Sequence, residues 1–107
     1  MLKAILSQPT AGKTHEEFVA TKEKAMTVLK YKGYEVIDML YVDDWCSEEQ
    51  IQKRGVVHIS LYFLAKFLEN MSLCHAVYFC KGWEKAYSCR IEHDAAVAYG
   101  LKMIYEN

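Results

Sequence analysis

The chain holds one proline, Pro9, in 107 residues. That excludes a Pro-rich disordered segment. It also lacks a basic excess: 13 Lys and Arg stand against 14 Asp and Glu, a formal charge of −1. A module that grips a nucleic-acid polymer needs a clear positive balance, so no such polymer is expected as a partner. The longest apolar stretch, residues 56–68, is broken by His58, Ser60 and Lys66. It falls short of the roughly 20 apolar residues of a membrane span, so no membrane partner is expected. Residues 1–8 carry too short an apolar run for a secretory signal, and a cytoplasmic location is expected.

Further absences concern chemistry. The four cysteines, at 46, 74, 80 and 89, form no C-x-x-C pair, which argues against a zinc knuckle or a redox dithiol and for free thiols. His58, His75 and His93 fall on three different predicted elements without H-x-x-x-H or H-E-x-x-H spacing, so no metal is expected. No P-loop, dinucleotide fingerprint or G-x-S-x-G elbow occurs, and no cofactor is expected.

What is present is a balanced composition, 52% hydrophobic and 25% charged, as in one globular domain spanning residues 1–107. Residues 3–7 read as a buried strand ending at Gln8-Pro9. Thr14, with Glu17 three positions on, forms a capping box that opens a helix. Phe18, Thr21, Ala25, Val28 and Leu29 make its apolar stripe, and Gly33 stops it. Residues 34–40 read as a second strand, and Ser47 to Gln50 open a short helix. A longer helix over residues 57–71 is expected to bury Leu61, Leu64, Ala65 and Leu68. Residues 76–80 give a third strand. An Ala-rich helix over 89–99 is expected to lay Ile91, Ala95 and Ala98 on the sheet, and residues 101–105 close as a fourth strand. Strands alternating with helices imply an α/β fold: a small open parallel sheet of about four to five strands, helices on both faces.

Ligands of such sheets bind at the carboxyl ends of the strands, near a switch in strand order. That rule nominates the segment from Ser7 to Lys13, the segment from Asp38 to Trp45, and the segment from Cys80 to Glu92. The first offers Ser7, Gln8, Gly12, Lys13 and a helix N-terminus to a phosphate or a sugar hydroxyl; a plain capped turn accounts for it equally. The third offers Trp83, after Gly82, as a platform for a flat ligand. Glu92 stands beside the expected packing face of the last helix. It reads either as a partly desolvated nucleophile or base, or as a first-turn carboxylate paired with Arg90 or Lys85. The aromatics Trp45, Tyr62, Phe63, Phe67, Tyr87 and Tyr99 serve either the core or a subunit contact.

Several stretches together resemble a small, often phage-associated family of unknown function, DUF4406. They are Ile5 to Pro9 with Gly12, Gly33 to Asp38, Ala76 to Trp83, Cys89 to His93, and Ala98 to Gly100. That family is related to the nucleoside 2-deoxyribosyltransferases. The resemblance implies a flavodoxin-like, deoxyribosyltransferase-like fold. Glu92, with Gly100 eight positions on, matches the nucleophile position. The implied activity is cleavage or transfer of the N-glycosidic bond of a nucleoside or nucleotide, with a carboxylate attacking the anomeric carbon. Ser7, Gln8, Pro9, Gly12, Lys13, Asp38, Gly82 and Trp83 are the implied binding residues, and a homo-oligomer is implied as well. The chain departs from the wider pattern at Cys74-His75, His93 to Ala96 and Cys80 to Trp83. It carries no acid over residues 62–67, and Asp38 or Asp43 is left to supply one. A non-catalytic binder of a nucleotide-like ligand, or a homo-oligomeric interaction module, is therefore the alternative.

Overall fold

The computed structural model describes residues 1–38 and 45–106. It is an α/β fold with four parallel strands in the order β2-β1-β3-β4. The strands are β1 (Leu2–Ser7), β2 (Tyr34–Ile37), β3 (Ala76–Phe79) and β4 (Lys102–Tyr105). The helices are α1 (His15–Tyr31), α2 (Glu48–Lys53), α3 (Ile59–Met71) and α4 (Tyr87–Ala98). A 3₁₀ turn, Trp83–Lys85, precedes α4. The end of the expected second strand, residues 39 and 40, lies outside the described residues, as does Asp43.

The start of α1 follows directly from its sequence. Thr14 Oγ1 accepts the Glu17 N–H at 3.1 Å, and the Glu17 carboxylate reaches back to the Thr14 N–H at 3.5 Å. At the other end Gly33 takes φ +90°, where a side chain would be strained, and turns the chain into β2. Thr14→Ala removes the first half of the box and is expected to cost about 1 kcal/mol. Urea denaturation measures this, and Thr14→Ser should recover most of the loss.

Strand alternation divides the core in two. Ala4, Leu6, Ala76, Tyr78 and Cys80 pack with Ala25, Val28 and Leu29 of α1. Ile5, Val77 and Phe79 pack on the other face with Phe67 and Met71 of α3 and Ala96 of α4. Ser7 belongs by period to this second face. From β1 the chain passes through α1 to β2 on one side, then crosses back through α2 and α3 to β3 on the other, so the switch in order falls beside β1, between α1 and α4.

Two helices match only part of the faces their periodicity predicts: Leu68 of α3 and Ala95 of α4 pack against the core as expected, and the rest is turned. In α3 the buried residues are Phe67, Asn70 and Met71, whereas Leu61 and Ala65 are exposed. The helix is apolar nearly all round, so its own pattern cannot choose a side, and the sheet chooses it. In α4 the buried residues are Cys89, Glu92 and Ala96; Ile91 and Ala98 are exposed. Glu92 is thus on the packing face itself, not beside it.

Candidate active site

The site is built where β1 ends. Ser7, its last residue, is fully buried and aims at α4. Its Oγ donates to Glu92 Oε1 at 2.7 Å. Glu92 is 6% exposed, and burial pushes its carboxyl from the ordinary 4.5 up to about 7, against the opposing pull of the Ser7 hydrogen bond. It takes its hydrogen bond from Ser7 and no ion pair with Arg90 or Lys85; Arg90 instead lies over the Tyr87 ring, 4.9 Å from its centroid.

Glu92 opens into a cleft of about 180 Å³ at the carboxyl edge of the sheet. Ile5, Leu6 and Gln8 of the β1 end line its middle. Phe67, Ser88 and Glu92 line the α3 and α4 side, and Phe18, Lys22 and Asp38 line the α1 side. Gln8 is held by its own amide, whose Nε2 donates to the Phe18 carbonyl at 2.7 Å. Lys22 Nζ and Asp38 Oδ2 form an ion pair at 2.5 Å, both side chains about one-fifth exposed. The volume is below the roughly 300–1,000 Å³ of pockets for drug-sized ligands.

The geometry brings together four of the residues singled out from sequence: Ser7, Gln8, Asp38 and Glu92. The others are placed elsewhere. Gly12 and Lys13 are exposed on the turn before α1, where the Lys13 N–H donates to the Thr10 carbonyl at 3.3 Å. Pro9 is buried, and its Cγ lies 3.8 Å from where a Cβ on Gly82 would stand. Gly82 itself takes φ +91°, the conformation that lets the β3 loop turn there.

Trp83 is stacked on His93 at 4.1 Å between centroids and 18° between planes. It packs with Phe79 and Tyr105, while His93 Nε2 and Tyr105 Oη lie 2.6 Å apart. Neither Trp83 nor Tyr78, a core residue on the α1 face, lines the cleft. Among the other lining residues, Thr10 and Ser88 fall in nominated segments without being singled out, Phe67 was named only as a core or interface aromatic, and Lys22 was passed over. Two of them had a signal: Lys22 is one turn beyond Phe18, and Ser88 is one turn before Glu92.

All four thiols are free. Burial pushes Cys74 up to about 11 and Cys80 up to about 12, which leaves both protonated and weakly nucleophilic at neutral pH. Among the described residues no group of three or more His, Cys, Asp or Glu could hold a metal ion, and no helix is long and apolar enough to cross a membrane. Comparison with known proteins finds no matching family model, no similar curated protein and no similar solved structure.

Proposed function

We propose that this chain cleaves or transfers the N-glycosidic bond of a nucleoside-like ligand in the β1 cleft, with Glu92 as the attacking carboxylate. One observation carries the reading: a carboxyl group is kept on the buried face of α4, at the switch point of the sheet, where it costs the fold stability. Buried carboxylates without a role are replaced at a gain, whereas functional sites retain such costs. The likeness of the Glu92 to Gly100 spacing to that of the deoxyribosyltransferases supports the same role.

In the first step a Glu92 oxygen bonds to the anomeric carbon as the C–N bond breaks. The bond's electron pair goes to the base nitrogen, which takes up a proton from solvent water as the base departs. A water molecule, or a second base, then displaces Glu92 from the sugar and regenerates the carboxylate. A carboxylate close to an oxocarbenium-like centre is the arrangement that retaining glycosidases use. Ser7 fixes the Glu92 rotamer, and the apolar surroundings strengthen its interaction with a developing positive charge.

The test is incubation with a panel of nucleosides, deoxynucleosides and their monophosphates, followed by chromatography for free base. Release by the wild type and none by Glu92→Ala is expected. Equal release by the variant rejects the role of Glu92. A ligand that raises the melting temperature without releasing base would instead establish the non-catalytic binder.

A second property is favoured by the surface. Tyr87 and Tyr99 are 80% and 84% exposed, and Leu61, Ile91 and Val97 are about half exposed. An apolar groove of about 330 Å³ lies between α3 and α4, lined by Leu68, Met71 and Tyr99 among others. Apolar and aromatic surface concentrated on two adjacent helices is the composition of an interface core. Trp45 and Phe67, by contrast, are buried within the chain. A homo-oligomer is expected by light scattering, with Val97→Glu shifting it toward monomer. A strictly monomeric wild type would exclude self-association.

A further inference from the structure

The cleft has two chemically different ends, and attack by Glu92 engages only one of them. The other end rests on α1, which covers the opposite face of the sheet from α4. Phe18 and Lys22 are four residues apart there and so share one side of the helix. Asp38 meets Lys22 directly after β2. The sequence pattern places Phe18 in the core stripe, yet it is half-buried and lines the cleft.

The Lys22–Asp38 pair restricts what can bind beside it. A carboxylate only accepts hydrogen bonds, and an ammonium only donates them. A complementary edge therefore offers an N–H next to a lone pair. Heterocyclic bases present these on neighbouring atoms of a rigid plane, and the same plane gives the Phe18 ring an apolar face to pack against. A phosphate offers acceptors alone and is opposed by the Asp38 charge, so it does not suit this end. Trp83, the platform that the sequence offered for a flat ligand, already has a face covered by His93.

We infer that Phe18, Lys22 and Asp38 form the subsite that holds and selects the heterocycle, and that Trp83 takes no part in selection. This rests on the reading of Glu92 as the group that attacks the attached carbon. The anomeric carbon lies toward Glu92 and the base toward α1, across the carboxyl edge of β1. Lys22 and Asp38 act as specificity-determining residues: they bond the polar edge of the base and leave the sugar to the β1 end.

The experiment measures kcat/KM for release of guanine, hypoxanthine, adenine, cytosine and uracil from their nucleosides. It compares the wild type with Asp38→Asn, Lys22→Met and Trp83→Phe. A partly exposed ion pair contributes little to folding, and circular dichroism checks that each variant is folded. Loss of a charge-assisted hydrogen bond is worth about 10- to 100-fold. Asp38→Asn and Lys22→Met are therefore expected to change the ratio between the best and worst bases by that amount, while Trp83→Phe leaves the ratio within about 2-fold. A merely structural role would lower all five values together and leave the ratio fixed. An unchanged ratio in both ion-pair variants, or a changed one in Trp83→Phe, overturns the inference while the Glu92 reading stands. If the wild type releases no base from any nucleoside, that reading falls and the inference falls with it.

Discussion

Glu92→Gln is expected to stabilise the protein by about 3 kcal/mol at pH 8 and, at the same pH, to abolish base release. The stability effect follows from linkage. The carboxyl binds its proton more tightly in the fold, at about 7, than in the unfolded chain, at the ordinary 4.5. Stability therefore falls as pH rises from about 4.5 to about 7, and the full penalty is present above that. A gap from 4.5 to about 7, at about 1.4 kcal/mol per pH unit, amounts to about 3 kcal/mol. The amide that replaces the carboxyl carries no charge to bury and still offers an oxygen to Ser7. The variant and the wild type should converge near pH 4 and separate above pH 7, which urea midpoints at both values measure. Equal stability at pH 8 would mean that Glu92 is not held in the desolvated position described.

The activity effect has the opposite sign. An attacking carboxylate must be ionised, so the wild-type rate should rise through about pH 7 and level off above it. Replacing a nucleophile by an amide should lower the rate by at least about 1,000-fold. A rate that instead falls through pH 7 would make Glu92 a proton donor rather than a nucleophile. One substitution thus separates a gain in stability from a loss of function, as expected of a site whose burial serves chemistry.

Phe79→Ala is expected to cost about 3–5 kcal/mol. Phe79 is fully buried at the end of a central strand. Its ring packs against Trp83 at 5.4 Å, His93 at 4.9 Å and Tyr105 at 5.7 Å. Removing it leaves a cavity between β3, β4 and the start of α4, where close-packed neighbours relax only partly. With domain stabilities of about 5–15 kcal/mol, such a loss takes a large share of the total. His93 adjoins Glu92 on α4, so loosening this cluster should also release the carboxylate from Ser7. Guanidinium denaturation and the near-ultraviolet dichroism of Trp83 report the two effects, and Phe79→Leu should recover much of the first. A loss below about 1.5 kcal/mol, the scale of a volume-conserving swap, would show that the ring fills no essential space.

Local rules reached far where one residue decides the outcome. The Thr14 and Glu17 box, the Gly33 stop and the Ser47 cap are set by short-range hydrogen bonds and backbone sterics, and each is found where the sequence puts it. The alternation of strands and helices implied the parallel sheet, because parallel neighbours need a crossover between them. Ser7, Gln8, Asp38 and Glu92 were legible as a group for the same reason: each lies at or beyond the carboxyl end of a strand.

The facing of α3 and α4 was legible only in part. Ile59, Leu61, Phe63, Leu64, Phe67, Leu68 and Met71 surround α3 with apolar surface, and α4 is rich in alanine, whose burial pulls weakly in any direction. Which side turns inward is then decided by the sheet and by the space beside Ser7. That choice buries Glu92 and gives it a proton affinity that composition and spacing cannot specify. It is also what pairs Trp83 with His93 and leaves the cleft to Phe18, Lys22 and Asp38. Spacing and capping were thus enough for the elements, their order and the edge of the sheet that can hold a ligand. Which side chains meet at that edge was left to packing, because burial and long-range contact join residues as far as 85 positions apart, as Ser7 and Glu92 are.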